Sequence, residues 1–216
     1  MSIVLYGIGS MFVADVAETC ARLGLPVAAW IKNVAGPTYE PPGHTVTPAE
    51  AIPAELTALE FAVPMFTPFH RHQAAAEAGR RGFGRPRILI DPTAAVASTT
   101  TFEPGCYVNS AATIGAAGRI GRFVFVNRSA SIGHHAAIAD YVSIGPGAII
   151  AGNVRLGRGA VIAAGAVVLP GLEVGDNAVV AAGAVVTEAV PAHCLVMGNP
   201  ARVTKSGIAG HNDHSV

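Results

Sequence analysis

The sequence predicts a parallel β-helix that follows a small α/β domain, and three observations support this fold class. An aliphatic or aromatic residue, here called the anchor, recurs at every sixth position from residue 90 without interruption. The residue after the anchor is often glycine, and the fourth residue after it is small or aliphatic. The segment before residue 88 lacks this pattern and alternates between short apolar runs and helical segments. The anchors are Ile90, Val96, Phe102, Val108, Ile114, Ile120, Val126, Ile132, Ile138, Ile144, Ile150, Leu156, Ile162, Val168, Val174, Val180 and Val186.

A period of six fits neither an α-helix nor an alternating strand, and it marks a repeat architecture. Each unit supplies one short strand and one turn, and three units close a triangular coil. The anchor points inward, and glycines such as Gly133 and Gly145 are expected to allow a tight turn. Since each coil pairs with the next, stability grows by stacking. We expect the β-helix to span residues 88–203, with a disordered tail at 204–216.

The segment 1–87 is predicted to be a Rossmann-like α/β domain because strands and helices alternate and the first turn is glycine-rich. The turn Gly7-Ile8-Gly9-Ser10 is an incomplete dinucleotide fingerprint, and the second strand ends in Lys32-Asn33 without an acid. Two interpretations stay open: a tight turn without a ligand, or a phosphate bound at the helix N-terminus by Gly7, Gly9 and Ser10. The predicted strands are 2–6, 27–31 and 59–65, the helices 11–23 and 68–81, and a proline-rich loop 36–53.

Composition excludes several classes of partner. The chain has 14 basic and 14 acidic residues and is only 13% charged, so it lacks the basic excess that nucleic acids and anionic membranes require. Its apolar runs are broken before a membrane-spanning length, and no signal peptide is indicated. Cys20, Cys106 and Cys194 have neither metal nor disulfide spacing, so we expect reduced thiols in a cytoplasmic protein.

Four motifs carry a family resemblance: Val126-Asn127, Ile132-Gly133-His134-His135, Ile150-Ala151-Gly152-Asn153, and the ending Gly198-Asn199-Pro200-Ala201. Together with the order of the two domains, they resemble the hexapeptide-repeat sugar O-/N-acetyltransferases. The resemblance implies a left-handed β-helix, an exception to the usual crossover hand. It also implies acetyl-CoA as cosubstrate, a nucleotide-linked amino sugar as acceptor, a homotrimer, and a role in polysaccharide biosynthesis.

The same resemblance assigns individual residues. His134 matches the family's catalytic histidine, and Asn127 an asparagine that contacts the acceptor sugar. A second family histidine aligns with Ser143, and the acid that usually follows the catalytic histidine is His135 here. The positions that match backbone along the acetyl-CoA groove are Gly152, Ala164 and Ala182. The family's glycine-rich turn also carries a histidine that is absent after Gly9, which weakens the case for a UDP-sugar more than the case for acetyl transfer.

The residues themselves support this chemistry. Acyl transfer from a thioester needs a base for the acceptor's proton and donors for the oxyanion. His134 is on a predicted turn, points outward and has Gly152 one coil later, which leaves space for a thin pantetheine arm. The alternative is that His134 is an ordinary solvated histidine on a surface turn. For His135, three roles stay open: orienting His134, contacting substrate, or neither.

Solenoids of this kind can also serve three other functions. An O-acetyltransferase acting on a sugar or another small hydroxyl acceptor uses the same residues. A zinc carbonic anhydrase needs three converging histidines, and the adjacent His134 and His135 cannot both reach one tetrahedral metal, so no metal is expected. A non-enzymatic scaffold or sensor would bind no acyl-CoA.

Assembly is predicted from the outward residues that precede the anchors. They form three stripes along the solenoid, two largely apolar and one polar. Two different apolar sides that meet head to tail close into a ring, so we predict a homotrimer with a shared groove beside His134. The stripes are Ser131, Ile149, Val167, Val185; Phe125, Ser143, Val161, Val179; and Arg119, Ala137, Arg155, Glu173.

Overall fold

The computed structural model describes residues 2–36, 38–39 and 41–216. The N-terminal unit is a four-stranded parallel sheet with two α-helices. The strand order is β3-β2-β1-β4. Its elements are β1 (Ile3–Tyr6), α1 (Val13–Arg22), β2 (Val27–Lys32), β3 (Val46–Pro48), β4 (Glu60–Ala62) and α2 (Pro68–Arg80), with short 3-10 helices at Ala49–Ala51 and Ala54–Ala58.

Local sequence explains most of these elements. Every residue of β1 is fully buried, as expected for a central parallel strand. In α1 the buried residues Val13, Val16 and Cys20 follow helical spacing and face the sheet. Pro68 opens α2 at a position where its missing N–H costs nothing. The predicted loop 36–53 differs: it contains the edge strand β3, while its residues Pro37 and Glu40 lie outside the described part of the chain.

The hexapeptide repeat is confirmed. Each anchor is the second residue of a two-residue strand, and each strand pairs in parallel with strands 18 positions away, as Val126 does with Ile144. The anchors and the small fourth residues form one continuous core. The strands are β5 (Leu89–Ile90), β6 (Ala95–Val96), β7 (Thr101–Phe102), β8 (Tyr107–Val108), β9 (Thr113–Ile114), β10 (Arg119–Ile120), β11 (Phe125–Val126), β12 (Ser131–Ile132), β13 (Ala137–Ile138), β14 (Ser143–Ile144), β15 (Ile149–Ile150), β16 (Arg155–Leu156), β17 (Val161–Ile162), β18 (Val167–Val168), β19 (Glu173–Val174), β20 (Val179–Val180) and β21 (Val185–Val186).

These strands form the three faces of a prism. The first face comprises β5, β8, β11, β14, β17 and β20, and a terminal hairpin of β22 (Cys194–Gly198) and β23 (Ala201–Ser206) extends it. The second face comprises β6, β9, β12, β15, β18 and β21, and the third comprises β7, β10, β13, β16 and β19.

The glycines that follow the anchors serve close packing between coils. A Cβ on Gly133 would lie 2.5 Å from the amide nitrogen of Gly152 in the next coil, and one on Gly145 would lie 2.7 Å from that of Ala164. Neither glycine has a positive φ; that conformation falls two residues later, at His135 and Gly147. The expectation that these glycines serve the turn itself was therefore wrong.

The N-terminal unit covers much of the first face. Phe125, Ser143 and Val161, which point outward from that face, are fully buried. The rings of Phe12 and Phe66 pack edge-on against Phe125. One of the two apolar stripes that we expected to be free is therefore largely buried within the chain. The second face stays open, and Ile149 on it is 47% exposed.

The segment expected to be a disordered tail has defined contacts instead. The amide of Val216 donates to Asn177, the ring of His214 stacks on Phe69 at 4.5 Å, and Ile208 is buried. A 3-10 helix spans His211–Asp213. Polar composition alone misled the prediction, because these contacts depend on parts of the chain far away in sequence. Within the described residues, none of the helices has the length and apolar character needed to cross a membrane.

Candidate active site

His134 lies in the turn between the second and third faces, where one corner of the prism is formed. Its side chain is exposed, and its carbonyl accepts a hydrogen bond from the amide of Asn153 at 2.9 Å. The imidazole rests on Gly152: a Cβ built there would lie 2.7 Å from Nε2. The expected small neighbour one coil later is thus in direct contact with the ring, and Nε2 is the atom that faces it.

His135 contacts His134 directly. It adopts a left-handed conformation with φ of 58°, and its amide donates to the carbonyl of Ala116 at 2.8 Å. The two Nδ1 atoms are 3.0 Å apart and the rings are nearly perpendicular. One of these nitrogens donates and the other accepts, according to the tautomers. Of the three roles left open by the sequence, this contact fits that of orienting His134.

The residues that the resemblance assigns to acetyl-CoA do not share one corner. Gly152 lies with His134 between the second and third faces, whereas Ala164 and Ala182 are exposed between the first and second faces. The two sets therefore flank the open second face. Beside His134, the amides of Ala151 and Asn153 are hydrogen-bonded, while that of Gly152 has no acceptor among the described residues.

Two predicted substrate contacts are buried. Asn127 is fully buried; its Oδ1 accepts from the Arg128 amide and from Nδ2 of Asn109 one coil earlier. Ser143 is also fully buried and donates to the carbonyl of Phe66. Both side chains are enclosed by the chain itself in this position, so the prediction that they contact substrate does not fit the single chain. Their positions in the six-residue repeat, one in a turn and one in a strand, do not indicate that the N-terminal unit packs over them.

A pocket of about 350 Å³ opens in the N-terminal unit. It lies at the carboxyl ends of the parallel strands β1, β2 and β4, where α/β sheets bind ligands. Gly9 and Ser10, two of the residues for which a phosphate contact was left open, line it, and Gly7 lies beneath, where a Cβ would meet the Met65 side chain at 2.6 Å. The remaining lining residues are Phe12, Asn33, Val34, Met65, Phe66, Thr67, His70, Gln73 and Ala74.

The walls of this pocket are mostly apolar, with polar groups at the starts of both helices. Ser10 precedes α1, and Thr67 precedes α2, so both helix N-termini border the pocket and favour an anion there. Asn33 is held by a hydrogen bond from its Nδ2 to Glu77. The aromatic wall of Phe12 and Phe66 was not predicted from the sequence. The feature that could have indicated it is an aromatic residue, Phe66, directly before the helix start at Thr67-Pro68.

Arg71 lies in α2 between His70 and His72, close to the pocket, but its side chain points away from solvent. It is 1% exposed and donates to five backbone carbonyls and to Ser143 Oγ. Burial lowers its pKa to about 9, which leaves the guanidinium charged at neutral pH. His70 does line the pocket, whereas His72 packs on Tyr141 and burial lowers its pKa. His70 is therefore the member of this trio that an anion in the pocket can reach, whereas Arg71 is not.

Other reactive groups give no second centre. Cys20, Cys106 and Cys194 are buried and unpaired, and burial raises the pKa of the Cys106 thiol to about 12. No group of three or more potential ligands among the described residues is arranged to hold a metal ion. The pocket and the His134 corner are thus the two candidate parts of a site.

Comparison with known proteins agrees with this architecture. Residues 153–188 match the family model described as bacterial transferase hexapeptide (six repeats). No match was found among curated proteins. Among solved structures, a variant of perosamine N-acetyltransferase from Caulobacter crescentus, in complex with CoA and GDP-perosamine, has a TM-score of 0.86 and 26% identity. The match covers 95% of this chain and 98% of that one.

Two further structures are similar. The acetyltransferase domain of PglB from Neisseria gonorrhoeae, in complex with acetyl coenzyme A, has a TM-score of 0.83 and 27% identity over 94% of this chain and 98% of that one. WeeI from Acinetobacter baumannii has a TM-score of 0.81 and 25% identity over 94% and 99%. The chain therefore carries the hexapeptide repeat of bacterial transferases, and it is similar in fold to these acetyltransferases. Its resemblance to sugar N-acetyltransferases extends over nearly the whole length.

Proposed function

We propose that this protein transfers the acetyl group of acetyl-CoA to an amino group on a nucleotide-linked sugar. The observation that carries the proposal is the pairing of two features in one chain: an exposed histidine whose Nε2 rests on a glycine, and a nucleotide-sized pocket bordered by two helix N-termini. The similar structures hold CoA with GDP-perosamine in one case and acetyl coenzyme A in another. The left hand of the β-helix belongs to the same proposal.

In the proposed mechanism His134 Nε2 is the general base. The amine nitrogen attacks the thioester carbonyl, a C–N bond forms, and the carbonyl oxygen becomes an oxyanion. The free amide of Gly152 lies beside the ring and is suited to donate to that oxyanion. The amine proton moves to Nε2, the C–S bond breaks, and the departing CoA thiolate takes up that proton. No acyl-enzyme is needed because the thioester is already activated.

The proposed active form is a homotrimer. Within one chain the pocket lies over the first face, through Phe12 and Phe66, whereas His134 lies at the opposite corner of the prism. We therefore infer that the pocket and His134 that act on one acceptor come from different chains. The open second face, with Ile149 exposed beside it, suits contact with a neighbouring copy. That contact would bring the pocket of one subunit to the histidine of the next. A cytoplasmic location and a role in polysaccharide biosynthesis complete the proposal.

A binding and turnover panel tests this function. Thermal shifts would be measured with CoA and with UDP-, GDP- and dTDP-linked amino sugars, since a ligand of the folded state raises its stability. Release of free CoA thiol from acetyl-CoA would report turnover. We expect a shift with CoA, a shift with one class of nucleotide sugar, and thiol release only when both are present.

The controls separate the alternatives. The matching nucleotide sugar with a hydroxyl in place of the amine should bind without turnover; its acetylation would favour an O-acetyltransferase. Binding of CoA without any nucleotide sugar would transfer the proposal to a small free acceptor. Absence of CoA binding would contradict acetyl transfer and favour a scaffold.

A further inference from the structure

Arg71 is the largest fully buried side chain of the described residues, and no role in acyl transfer accounts for it. No carboxylate forms an ion pair with it in the described part of the chain. Burying a cation is costly unless its donors are satisfied, and six acceptors satisfy them here. The positions of these acceptors in the fold indicate what Arg71 holds together.

Those acceptors come from two different parts of the molecule. One pair is the carbonyls of Met65 and Phe66, at 2.6 and 2.7 Å, in the segment that leads from β4 into α2. The others lie in the solenoid at the corner between the third and first faces, in two turns and at the first residue of β14. They are the carbonyls of Phe123, Tyr141 and Val142 and the hydroxyl of Ser143, at 2.7 to 3.1 Å.

The first of these segments is a wall of the pocket. Met65, Phe66 and Thr67 all line it, and the Phe66 ring stacks on that of Phe12. The planar guanidinium has donors in fixed directions, so it defines where each acceptor lies relative to the others. Arg71 thereby fixes the pocket wall to the solenoid.

We propose that Arg71 is a positioning residue for the acceptor pocket: it holds the Met65–Thr67 wall at a set place on the prism. This inference rests on the proposed function, because the ligand that it positions is the nucleotide-linked sugar. Placement matters, since a misplacement of about 1 Å can cost on the order of 10²-fold in rate. Arg71 itself touches neither acceptor nor acetyl-CoA in this scheme.

Arg22 provides a matched control. It also joins the N-terminal unit to the start of the solenoid, through an ion pair with the buried Asp91 at 3.2 Å. It lies in the last turn of α1 and does not line the pocket. Loss of Arg22 therefore removes a link between the two parts without disturbing the wall.

The test compares Arg71→Lys with Arg22→Met in the full-length protein. Lysine keeps the charge but has three donors for six acceptors. We expect Arg71→Lys to raise KM and Kd for the nucleotide sugar about tenfold, with KM for acetyl-CoA unchanged. Arg22→Met should lower the melting temperature and change neither KM.

A milder variant distinguishes a local effect on the pocket from misfolding of the whole protein. Ser143→Ala removes one acceptor of Arg71 and the hydroxyl's bond to Phe66, and it should raise the same Kd about threefold. Wild-type Kd in both Arg71→Lys and Ser143→Ala, with nucleotide sugar still bound by the parent protein, would overturn the inference alone. If the parent protein binds no nucleotide sugar, both the proposed acceptor and this inference are overturned.

Discussion

The pocket and the His134 corner differ in almost every physical respect. The pocket is enclosed by two helices, an aromatic wall and a segment fixed by a buried arginine. His134 and His135 are exposed, with each other and Gly152 as their neighbours. The proposed acceptor pocket is thus enclosed within one chain, whereas the proposed base is exposed at a corner of the prism. The difference teaches that a single chain contains both parts of the proposed site but does not join them.

Replacement of His134 by alanine should have the largest effect. Without the base, kcat should fall on the order of 10² to 10⁴-fold, while the nucleotide sugar still binds the distant pocket with unchanged Kd. Turnover by thiol release and binding by calorimetry measure the two separately. Cys106→Ala serves as control and should keep wild-type turnover. Unchanged kcat in His134→Ala would place the chemistry elsewhere, and an acetylated cysteine would point to a covalent route.

The next effect concerns assembly. Ile149→Arg puts a charge on the exposed second face, where we propose that a neighbouring subunit packs. The trimer should dissociate, and activity should fall on the order of 10²-fold because the two parts of the site separate. Thr101→Arg, an equivalent change on the third face, should remain trimeric and active. Light scattering gives the mass. A fully active monomer of either the parent or the variant would refute the shared site.

These two experiments bear on what sequence can predict. The six-residue repeat predicts every strand of the solenoid, because inward and outward positions recur locally. The position of Gly152 one coil after His134 follows from the same 18-residue spacing. Burial of Phe125 and Ser143 did not follow, because it depends on α2 and the segment before it. The six-residue period predicts a triangular prism, but it does not predict which face the N-terminal unit covers.

The candidate pocket shows the same limit. Gly9 and Ser10 were found from a local glycine pattern, but Phe66 reaches the pocket only through the fold of the sheet. Asn127 was assigned to substrate, yet it bonds to Asn109, which is 18 residues away and therefore one coil earlier. The role of such a residue depends on which residue lies beside it in the neighbouring coil. A single six-residue repeat does not show this.

A smaller effect should come from Gly152→Ala. The new Cβ would lie 2.7 Å from His134 Nε2 and 2.8 Å from Cε1, so the ring has to move. Its φ is not positive, so alanine is tolerated by the backbone. We expect kcat to fall about tenfold from the displaced base, with the melting temperature nearly unchanged. Gly84→Ala, in open space, is the control. Wild-type kcat in Gly152→Ala would mean that the ring position seen here is not the one used in turnover.

Mixed trimers test the separation itself, with the smallest expected signal. Gln73→Trp fills the pocket from an exposed position on α2 and leaves His134 intact, whereas His134→Ala leaves the pocket intact. Each variant alone should be inactive. If every site takes its pocket from one subunit and its histidine from the next, random mixing makes about a quarter of the sites complete. Co-expressed variants should therefore recover about a quarter of parent activity per site.

Mixing His134→Ala with the variant that carries both substitutions should recover no activity. If the first mixture also stays inactive although mixed trimers are isolated, the pocket and histidine act within one chain, and the geometry proposed here is wrong.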